Sequence, residues 1–376
     1  LRMRGVALLG ATGSIGTSTL SVLEHLEGFR LVAVSAHRNA EKLLEIARRW
    51  EPELVVLTSG VPFPEGPWKV LRGVEGLVEA ATHPEVDILV AGSGGVTAAR
   101  AVGAALEAGK RVALANKETL VAFGPVIKKI LARSEGELIP VDSEHSALFQ
   151  LLEGRRREAV RLIITSSGGA FRGKKAEELA RVKPSDALKH PTWRMGAKIT
   201  VDSATLMNKV LEVIEAHFLF DFPPERIEVL VHPTSTVHAL VELVDGSWLA
   251  HLGVPDMRIP IQYALTYPER KPSPAARLNL AGLKLEFQEP DTETFRLLPL
   301  AWEALKLGGT APAALTAAND VAVKAFLEEK IGFLDIFDVV ERVFQEHEPR
   351  PLESFEDGEE AFRWAARRAE EIIISL

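Results

Sequence analysis

A short apolar segment that runs into spaced glycines constrains the fold of this chain more than any other feature. Residues Gly5 to Gly10 read GVALLG, which is typical of a buried strand, and helical periodicity begins at Ser14. Gly13 and Gly16 continue the spacing, so backbone amides at this turn can approach a pyrophosphate at the positive end of a helix. A second strand, Leu31 to Ala36, follows. This context favours a dinucleotide-binding turn over a glycine turn without a ligand.

Strands and helices continue to alternate after this turn. Further buried-type strands are Glu53 to Ser59, Val86 to Gly92 and Arg111 to Asn116, and AARAVGAALEAG is helical. This alternation predicts an α/β fold with an N-terminal Rossmann-like, doubly wound sheet. Ligands of such sheets bind at the carboxyl ends of strands, which is where Lys117 and Glu118 lie. Both are candidate site residues, although Glu118 also suits a structural role at a helix start.

The residues after the second strand indicate which dinucleotide binds. NAD-preferring sites usually place an Asp or Glu there for the ribose 2′-hydroxyl, but this chain has His37, Arg38 and Asn39, with no acid before Glu41. An arginine pairs bidentately with a phosphate, so Arg38, with Asn39 beside it, favours NADPH. A solvent-exposed arginine at a helix start is the alternative.

Composition narrows the class of protein. A length of 376 residues predicts two or three domains. The formal net charge of −8 argues against a nucleic-acid partner, and the lack of cysteine excludes disulfides and thiolate chemistry. No apolar run reaches membrane-spanning length, and the first strand begins too early for a secretory signal. We therefore expect a cytoplasmic protein without a membrane partner.

A carboxylate pair follows Leu138, where the sequence reads LIPVDSEH. We expect a short strand that directs Asp142 and Glu144 to one side and Ser143 to the other. Two close carboxylates repel unless a cation lies between them, and oxygen ligands suit Mg²⁺ or Mn²⁺. His145 is interpreted as a structural histidine rather than a ligand.

The stretch from His190 to Glu215 reads HPTWRMGAKITVDSATLMNKVLEVIE and supplies further polar groups. Asp202 or Ser203 is the predicted N-cap of a helix. The predicted buried stripe of this helix comprises Leu206, Val210, Val213, Ile214 and Phe218. The opposite face carries Asn208, Lys209 and Glu212. This face suits an anion and a metal, with Glu212 as a third metal ligand, whereas a solvated face with a Lys209–Glu212 pair is the alternative.

Two loops and one methionine complete the candidate site. The segment HPTWRMG, from His190 to Gly196, has the composition of a loop that closes over a ligand. Arg161 to Phe171 is predicted to be a strand that runs into Ser166, Ser167, Gly168 and Gly169, whose hydroxyls and amides suit a phosphate. Met257 is a candidate nicotinamide contact, although a core methionine is the default.

The rest of the chain predicts a second sheet and a helical end. IEVLVHP and STVHALVELVDGSWLAHLG have the period-two alternation of antiparallel strands, with a turn at Asp245-Gly246. Proline-rich, irregular sequence follows. Amphipathic helices are then predicted near 295–306, 313–329, 334–346 and 359–375, enough for a small bundle.

Together these features predict a reaction class. A hydride carrier, a hard divalent metal and an anion site imply a phosphorylated substrate with adjacent oxygens. The predicted anion site comprises Ser167, Ser203, Asn208 and Lys209. A metal that chelates a hydroxyl and a ketone acts as a Lewis acid and as a template.

Eight segments then identify a family that the chain resembles over essentially its whole length. GATGSIG, AGSGGVTA, LANKE, PVDSEH, SSGGAFR, HPTWRMGAKITVDSATLMNK, GVPDMR and AANDVAV occur here in the order seen in 1-deoxy-D-xylulose 5-phosphate reductoisomerases. The resemblance implies a homodimer that uses NADPH and Mg²⁺ or Mn²⁺, with Co²⁺ as a further candidate. It implies rearrangement and reduction of 1-deoxy-D-xylulose 5-phosphate to 2-C-methyl-D-erythritol 4-phosphate in non-mevalonate isoprenoid biosynthesis.

The resemblance also implies roles for individual residues. The cofactor contacts would be Thr12, Gly13, Ser14, Ile15, Asn116, Glu118 and Gly196. The metal ligands would be Asp142, Glu144 and Glu212. The substrate contacts would be Lys117, Ser143, Ser167, Ser203, Asn208 and Lys209, together with His190 of a mobile flap and Trp193 as its apolar cover. Two positions, Val210 and His37, are commonly glycine in the family.

The resemblance sets the predicted domain limits. Residues 1–143 would form the NADPH-binding domain, and 144–271 the α+β catalytic and dimerisation domain with its flap near 185–197. A linker, 272–292, and a helical domain, 293–376, would follow. A metal-independent Rossmann dehydrogenase, such as a relative of semialdehyde or homoserine dehydrogenases, and an NADP-sensing regulatory protein are the alternative functions. The three carboxylates argue against the sensor, because a sensor needs no metal.

Overall fold

The computed structural model describes residues 2–190, 192 and 195–376 and divides the chain into two compact units. The first unit comprises Leu1–Thr119, Ile127–Ser146 and Asp256–Ala276, and the second comprises Leu120–Val126, Ala147–Pro255 and Arg277–Leu376. Among the described residues, no helix has both the length and the apolar character needed to cross a membrane.

Regular structure covers most of both units. The strands are β1 (Arg4–Leu9), β2 (Phe29–Ala36), β3 (Leu54–Leu57), β4 (Lys69–Arg72), β5 (Ile88–Ala91), β6 (Arg111–Leu114), β7 (Glu137–Pro140), β8 (Ala159–Ser166), β9 (Ile227–Val231), β10 (Val237–Leu243) and β11 (Trp248–Leu252). The helices are α1 (Ser14–His25), α2 (Ala40–Trp50), α3 (Gly73–Thr82), α4 (Ala99–Glu107), α5 (Lys117–Arg133), α6 (Ser143–Leu152), α7 (Ala176–Leu179), α8 (Pro184–Ala187), α9 (Ala197–Thr205), α10 (Met207–Phe220), α11 (Arg258–Thr266), α12 (Leu300–Leu307), α13 (Ala311–Leu327), α14 (Phe333–Glu346) and α15 (Phe355–Ile374).

The first unit contains a seven-stranded sheet in the order β4-β3-β2-β1-β5-β6-β7. Every neighbouring pair in it is parallel, and strands β3, β5 and β6 are buried along their whole length, as expected when helices cover both faces. The strand order reverses between β1 and β5, which creates the switch point where open α/β sheets bind ligands. The predicted α/β fold class is confirmed.

The second unit contains a four-stranded sheet in the order β11-β10-β8-β9. Strands β10 and β11 are antiparallel as predicted, and Ser247 N donates to Asp245 Oδ1 in the turn between them (2.9 Å). The prediction for β9 was wrong, because β9 pairs with β8 in parallel. Alternation alone cannot distinguish these cases, since a half-buried strand has period two in either direction.

Helices at the carboxyl end of the chain pack in the same unit as this sheet. Helix α13 packs against α14 and α15, and one apolar cluster extends from the sheet to these helices. Helix α12 begins at Leu300, five residues later than predicted, after Pro299 as its N-cap.

Helix α11 belongs to the first compact unit. This helix packs against α1, β6 and β7 of the first unit. The guanidinium of Arg111, which is 7 % exposed, donates to the carbonyls of Ala264 and Leu265 near the helix end. Since a cation at a helix carboxyl terminus satisfies free carbonyls and complements the helix dipole, this contact fixes α11 in the first unit.

Candidate active site

The glycine turn joins β1 to α1 at the switch point of the first unit. Gly10 has φ of +76°, and a Cβ there would lie 2.7 Å from the backbone nitrogen of Ser93, so only glycine fits. Gly13 is the N-cap of α1, and the first turn of that helix contains no acidic residue. Gly13 and Ser14 are exposed, and Thr12 and Ile15 are partly exposed. This helix terminus is therefore accessible and has the sign of charge that an anion requires.

The residues that follow β2 lie at the same edge of the sheet. Arg38 is exposed, and Asn39 caps α2 by accepting a hydrogen bond from the backbone nitrogen of Lys42 (3.2 Å). The ammonium of Lys42 in turn donates to the carbonyl of Thr12 (3.0 Å). Helix α2 is thus tethered to the glycine turn, and its first residues lie beside it.

A third group of predicted residues follows β6. Asn116 is the N-cap of α5, with its side-chain oxygen accepting from the backbone of Thr119 (2.9 Å) and its amide donating to Gly95 (2.6 Å) and Ser93. Lys117 and Glu118 form the first turn of α5 and are 5 % and 8 % exposed. Asn116 therefore fixes the loop after β5 against the loop after β6.

The carboxylate segment after β7 differs from the predicted extended strand. Strand β7 ends at Pro140 and helix α6 begins at Ser143, so Asp142 precedes the helix, and Ser143 and Glu144 lie in its first turn. The expected alternation of these side chains was wrong. The backbone carbonyl of Asp142 accepts from Ser146 (2.8 Å), and an acid in the first turn suits the helix dipole; both features favour a helix start here.

Asp142 has two partners within the first unit. Its Oδ2 lies 2.8 Å from Nζ of Lys117 and 3.6 Å from Nδ1 of His145, and the Asp142 side chain is 15 % exposed. Burial alone would raise the pKa of Asp142, but the Lys117 charge and the nearby His145 imidazole outweigh it and hold the pKa well below its usual range. The carboxylate is consequently ionised and available as an oxygen ligand.

Three further residues of the first unit complete this description. Ser143 Oγ donates to Oε2 of the neighbouring Glu144 (2.9 Å). His145 has no exposed surface. Its imidazole lies beside Asp142, a predicted metal ligand, and the sequence alone did not indicate this contact. Met257 is the partly buried N-cap of α11.

The second unit carries the remaining predicted residues on two helices instead of one. Leu206 adopts a left-handed conformation (φ +67°) and separates α9 from α10. The prediction that Asp202 or Ser203 would be an N-cap was therefore wrong, because both residues lie inside α9. Asp202 is 2 % exposed and lies within α9. Leucine is a good helix former, and the sequence therefore gives no sign of this break.

The predicted polar face of the second helix is largely buried. Lys209 is 5 % exposed and Glu212 has no exposed surface. Lys209 Nζ lies 2.6 Å from Glu212 Oε1, and Asn208 Nδ2 donates to Glu212 Oε2 (2.7 Å). The solvated-face alternative is thereby excluded, although the Lys209–Glu212 pair that it included is present. Val210 has no exposed surface, in agreement with its predicted packing role.

The loop after β8 packs against α9 within the second unit. Ser167 Oγ lies 3.1 Å from Nε2 of His190, and its hydroxyl also accepts from the backbone of Gly169 (3.1 Å). Gly169 has φ of +75°, and a Cβ there would lie 2.3 Å from the carbonyl oxygen of Ser203. Ser203 is only partly buried. The structure therefore brings Ser167, His190 and Ser203 to one region.

Two further predicted residues belong to the flap segment. Gly196, predicted to contact the cofactor, is the exposed N-cap of α9. Trp193 lies outside the described residues. The predicted metal ligands are divided between the units, with Asp142 and Glu144 in the first and Glu212 in the second.

Sequence reasoning considered Asp202 only as an N-cap and did not predict its buried contacts. Asp202 pairs with Lys198 (2.8 Å) and accepts from Asn319 (2.8 Å). The spacing of four residues between Lys198 and Asp202 on a helix was the available signal.

Comparisons with known proteins agree with the motif resemblance. Models of 1-deoxy-D-xylulose 5-phosphate reductoisomerase match residues 6–124, its C-terminal domain matches 138–220, and a DXP reductoisomerase C-terminal domain matches 252–368. The protein of that name from Thermomicrobium roseum is 49% identical, and the match covers 98% of this chain and 97% of the relative. The protein of that name from Chlorobaculum tepidum is 47% identical, and the match covers 99% of this chain and 100% of the relative.

Solved structures give the same result. The 1-deoxy-D-xylulose 5-phosphate reductoisomerase of Zymomonas mobilis in complex with NADPH has a TM-score of 0.92 and 41% identity, with complete coverage of both chains. A DOX-P reductoisomerase in complex with NADPH, fosmidomycin and magnesium has a TM-score of 0.92 and 37% identity, covering 99% of this chain and 98% of its own. The chain belongs to the 1-deoxy-D-xylulose 5-phosphate reductoisomerase family.

Proposed function

We propose that this chain converts 1-deoxy-D-xylulose 5-phosphate to 2-C-methyl-D-erythritol 4-phosphate with NADPH and a divalent metal. Family membership supports this activity, and one structural observation carries the site. Predicted ligand-binding groups follow four parallel strands, β2, β1, β6 and β7, at the carboxyl edge of the first sheet. That edge is where a dinucleotide binds in such folds.

The residues of the first unit fit NADPH. The accessible start of α1 without an acidic residue suits the pyrophosphate. Arg38 is exposed beside the start of α2 and suits a 2′-phosphate. Asn116 fixes the two loops that would flank the nicotinamide half, with Met257 and, from the second unit, Gly196 as further predicted contacts. NADPH supplies the hydride when bound.

The carboxylates fit a hard divalent ion. Asp142, Glu144 and Glu212 offer only oxygen ligands, which suit Mg²⁺, and Mn²⁺ or Co²⁺ as alternatives. The charge of Lys117 keeps the Asp142 carboxylate ionised, and Lys209 forms an ion pair with Glu212. A bound metal supplies Lewis acidity to the oxygens of the substrate as negative charge develops on them.

The second unit fits the phosphate of the substrate. Ser167, Ser203, Asn208 and Lys209 supply hydroxyl, amide and ammonium donors, and His190 lies against Ser167. Binding of the substrate phosphate by these residues orients the reacting carbons without direct contact with them. We assign Ser143 to the substrate near the metal, and Trp193 to the apolar cover that excludes water when the flap closes.

One assay separates this function from its alternatives. Purified protein would receive NADPH, Mg²⁺ or Mn²⁺ and 1-deoxy-D-xylulose 5-phosphate, with the nicotinamide absorbance followed over time. We expect substrate-dependent oxidation of NADPH that EDTA abolishes. Turnover that persists in EDTA would indicate a metal-independent dehydrogenase, and NADPH binding without turnover would indicate a sensor.

The assembly and location belong to the same proposal. We propose a homodimer, as the family resemblance implies, with a cytoplasmic location. Exposed apolar side chains in the irregular segment 277–289 support self-association, because large apolar patches mark interfaces. They are Leu280, Leu283, Leu285 and Phe287. Light scattering at several protein concentrations would give the mass of the assembly.

A further inference from the structure

A buried polar network joins α9 to α13 within the second unit and has no part in the function described so far. Asn319 Nδ2 donates to Asp202 Oδ1 at 2.8 Å, and Lys198 Nζ lies 2.8 Å from Asp202 Oδ2. Lys198 also lies 3.0 Å from Asp320 Oδ1. Asp202 is 2 % exposed and Asn319 has no exposed surface.

This network is a costly way to join two helices. Removing a carboxylate from water costs several kcal/mol, and ion pairing and hydrogen bonding only partly offset this cost. Apolar residues of similar volume are therefore often equally stabilising. The neighbours Val201 and Ala204 are already fully buried. A charged contact at Asp202 therefore contributes a defined orientation rather than extra stability.

Helix α9 is short, so its orientation depends on contacts with neighbouring elements. It has nine residues, begins at Ala197 at the end of the predicted flap and ends at Thr205, just before the left-handed Leu206. An isolated helix of this length is marginal in water. Its rotation about its own axis consequently depends on side-chain contacts with neighbours such as α13.

Ser203 is the residue that this rotation would move. It follows Asp202 on α9 and is partly exposed, whereas Asp202, Ala204 and Thr205 are buried. Successive side chains on a helix point about 100° apart, so the buried direction of Asp202 determines the direction of Ser203. The carbonyl of Ser203 also packs against Gly169, in the loop that carries Ser167.

We propose that Asp202 is a positioning residue for substrate binding. Held by Asn319 and Lys198, it fixes the rotation of α9 so that the Ser203 hydroxyl faces the substrate phosphate. This inference rests on the proposed function, since the contact of Ser203 with the phosphate belongs to it. It also gives the AANDVAV segment of the helical region a role in substrate affinity.

The test uses the full-length enzyme and separates substrate affinity from turnover. The variants are Asp202→Asn, which removes the charge, and Asn319→Ala, which removes the donor. We expect each to raise the KM for 1-deoxy-D-xylulose 5-phosphate about tenfold, the effect of losing one hydrogen bond to a charged group. The inhibition constant of inorganic phosphate should rise by the same factor, while kcat and the Kd of NADPH stay within about twofold.

Asp320→Asn is the matched control. It also removes one carboxylate contact of Lys198, but Asp320 lies on α13 and leaves Asp202 and Asn319 in place. We expect its KM to change less than about twofold, because a partly exposed ion pair contributes less than the buried contacts of Asp202. The double variant Asp202→Asn, Asn319→Asp exchanges donor and acceptor between the helices, and it should recover phosphate affinity that Asn319→Ala loses.

Ser203→Ala distinguishes the two possible failures. If Ser203→Ala leaves phosphate inhibition unchanged, the assigned phosphate site is wrong. If it weakens inhibition but Asp202→Asn and Asn319→Ala do not, the positioning role is overturned. A parallel loss of kcat and NADPH affinity in both variants would also overturn it, as general damage. Should Asp202→Asn fail to fold by circular dichroism, Asn319→Ala and the double variant test the positioning role in its place.

Discussion

The two units hold their predicted site residues in different ways. In the first unit these residues lie in loops and helix starts at a sheet edge, where Gly13, Ser14 and Arg38 are exposed. In the second unit several of them lie on α9 and α10, where Lys209 and Glu212 are buried against each other. A sheet edge provides binding groups through its topology, whereas a buried helix face must compensate every charge that it contains. The second arrangement should therefore tolerate substitution less well.

The largest expected effect is that of Glu212→Gln in the second unit. The change leaves the buried ammonium of Lys209 without its carboxylate and removes a proposed metal ligand. We expect kcat to fall about 10³-fold, because metal stabilisation of transition-state charge contributes several kcal/mol, while the Kd of NADPH is unchanged in a fluorescence titration. Glu225→Gln, an exposed carboxylate of the same unit, is the control. Equal loss of NADPH affinity would contradict the proposed division of labour.

Gly169→Ala tests how closely the β8 loop packs against α9. The added Cβ would lie 2.3 Å from the Ser203 carbonyl at a φ of +75°, so we expect a loss of about 3 kcal/mol in unfolding free energy. Gly173→Ala has a φ of +83° but meets nothing within 4 Å, and should cost about 1 kcal/mol. Chemical denaturation measures both. Similar losses would show that backbone strain, rather than the contact with Ser203, dominates.

His190→Ala should have a smaller, purely functional effect. It removes the partner of the Ser167 hydroxyl (3.1 Å), and we expect the KM for the phosphorylated substrate to rise about tenfold. The neighbouring Lys189 is exposed, so Lys189→Ala provides the control. Unchanged KM and kcat in His190→Ala would remove this histidine from the site.

The smallest effect belongs to the first unit. Asn39→Ala removes the N-cap of α2 and should cost about 1 kcal/mol of stability. Asn39→Asp keeps an equally good cap but places a negative charge next to Arg38, so stability should be retained while the preference for NADPH over NADH falls severalfold. If Asn39→Asp leaves that preference intact, Asn39 is a structural cap alone.

The sequence predicts the first unit better because its signals there are local. The βα alternation and the glycine spacing place Gly10, Lys117 and Asn116 at one sheet edge without knowledge of distant contacts. The same reasoning fails at Leu206, whose left-handed conformation depends on packing around it and not on its own helix propensity.

The sequence also could not predict which polar groups are buried. Nothing near Asp202 in the sequence indicates that its partner is Asn319, 117 residues away. Likewise, the three-residue spacing of Lys209 and Glu212 predicts their ion pair equally well on a wet or a dry helix face. Only tertiary contacts decide between these cases.

Helix α11 has a consequence for how the chain folds during synthesis. The first unit is interrupted by more than one hundred residues of the second, because Asp256–Ala276 complete it. A nascent chain that has emerged only as far as β7 still lacks the helix whose last carbonyls accept hydrogen bonds from Arg111. Domain-by-domain folding from the amino terminus, the usual order on the ribosome, therefore cannot finish the dinucleotide-binding half before most of its partner has been made.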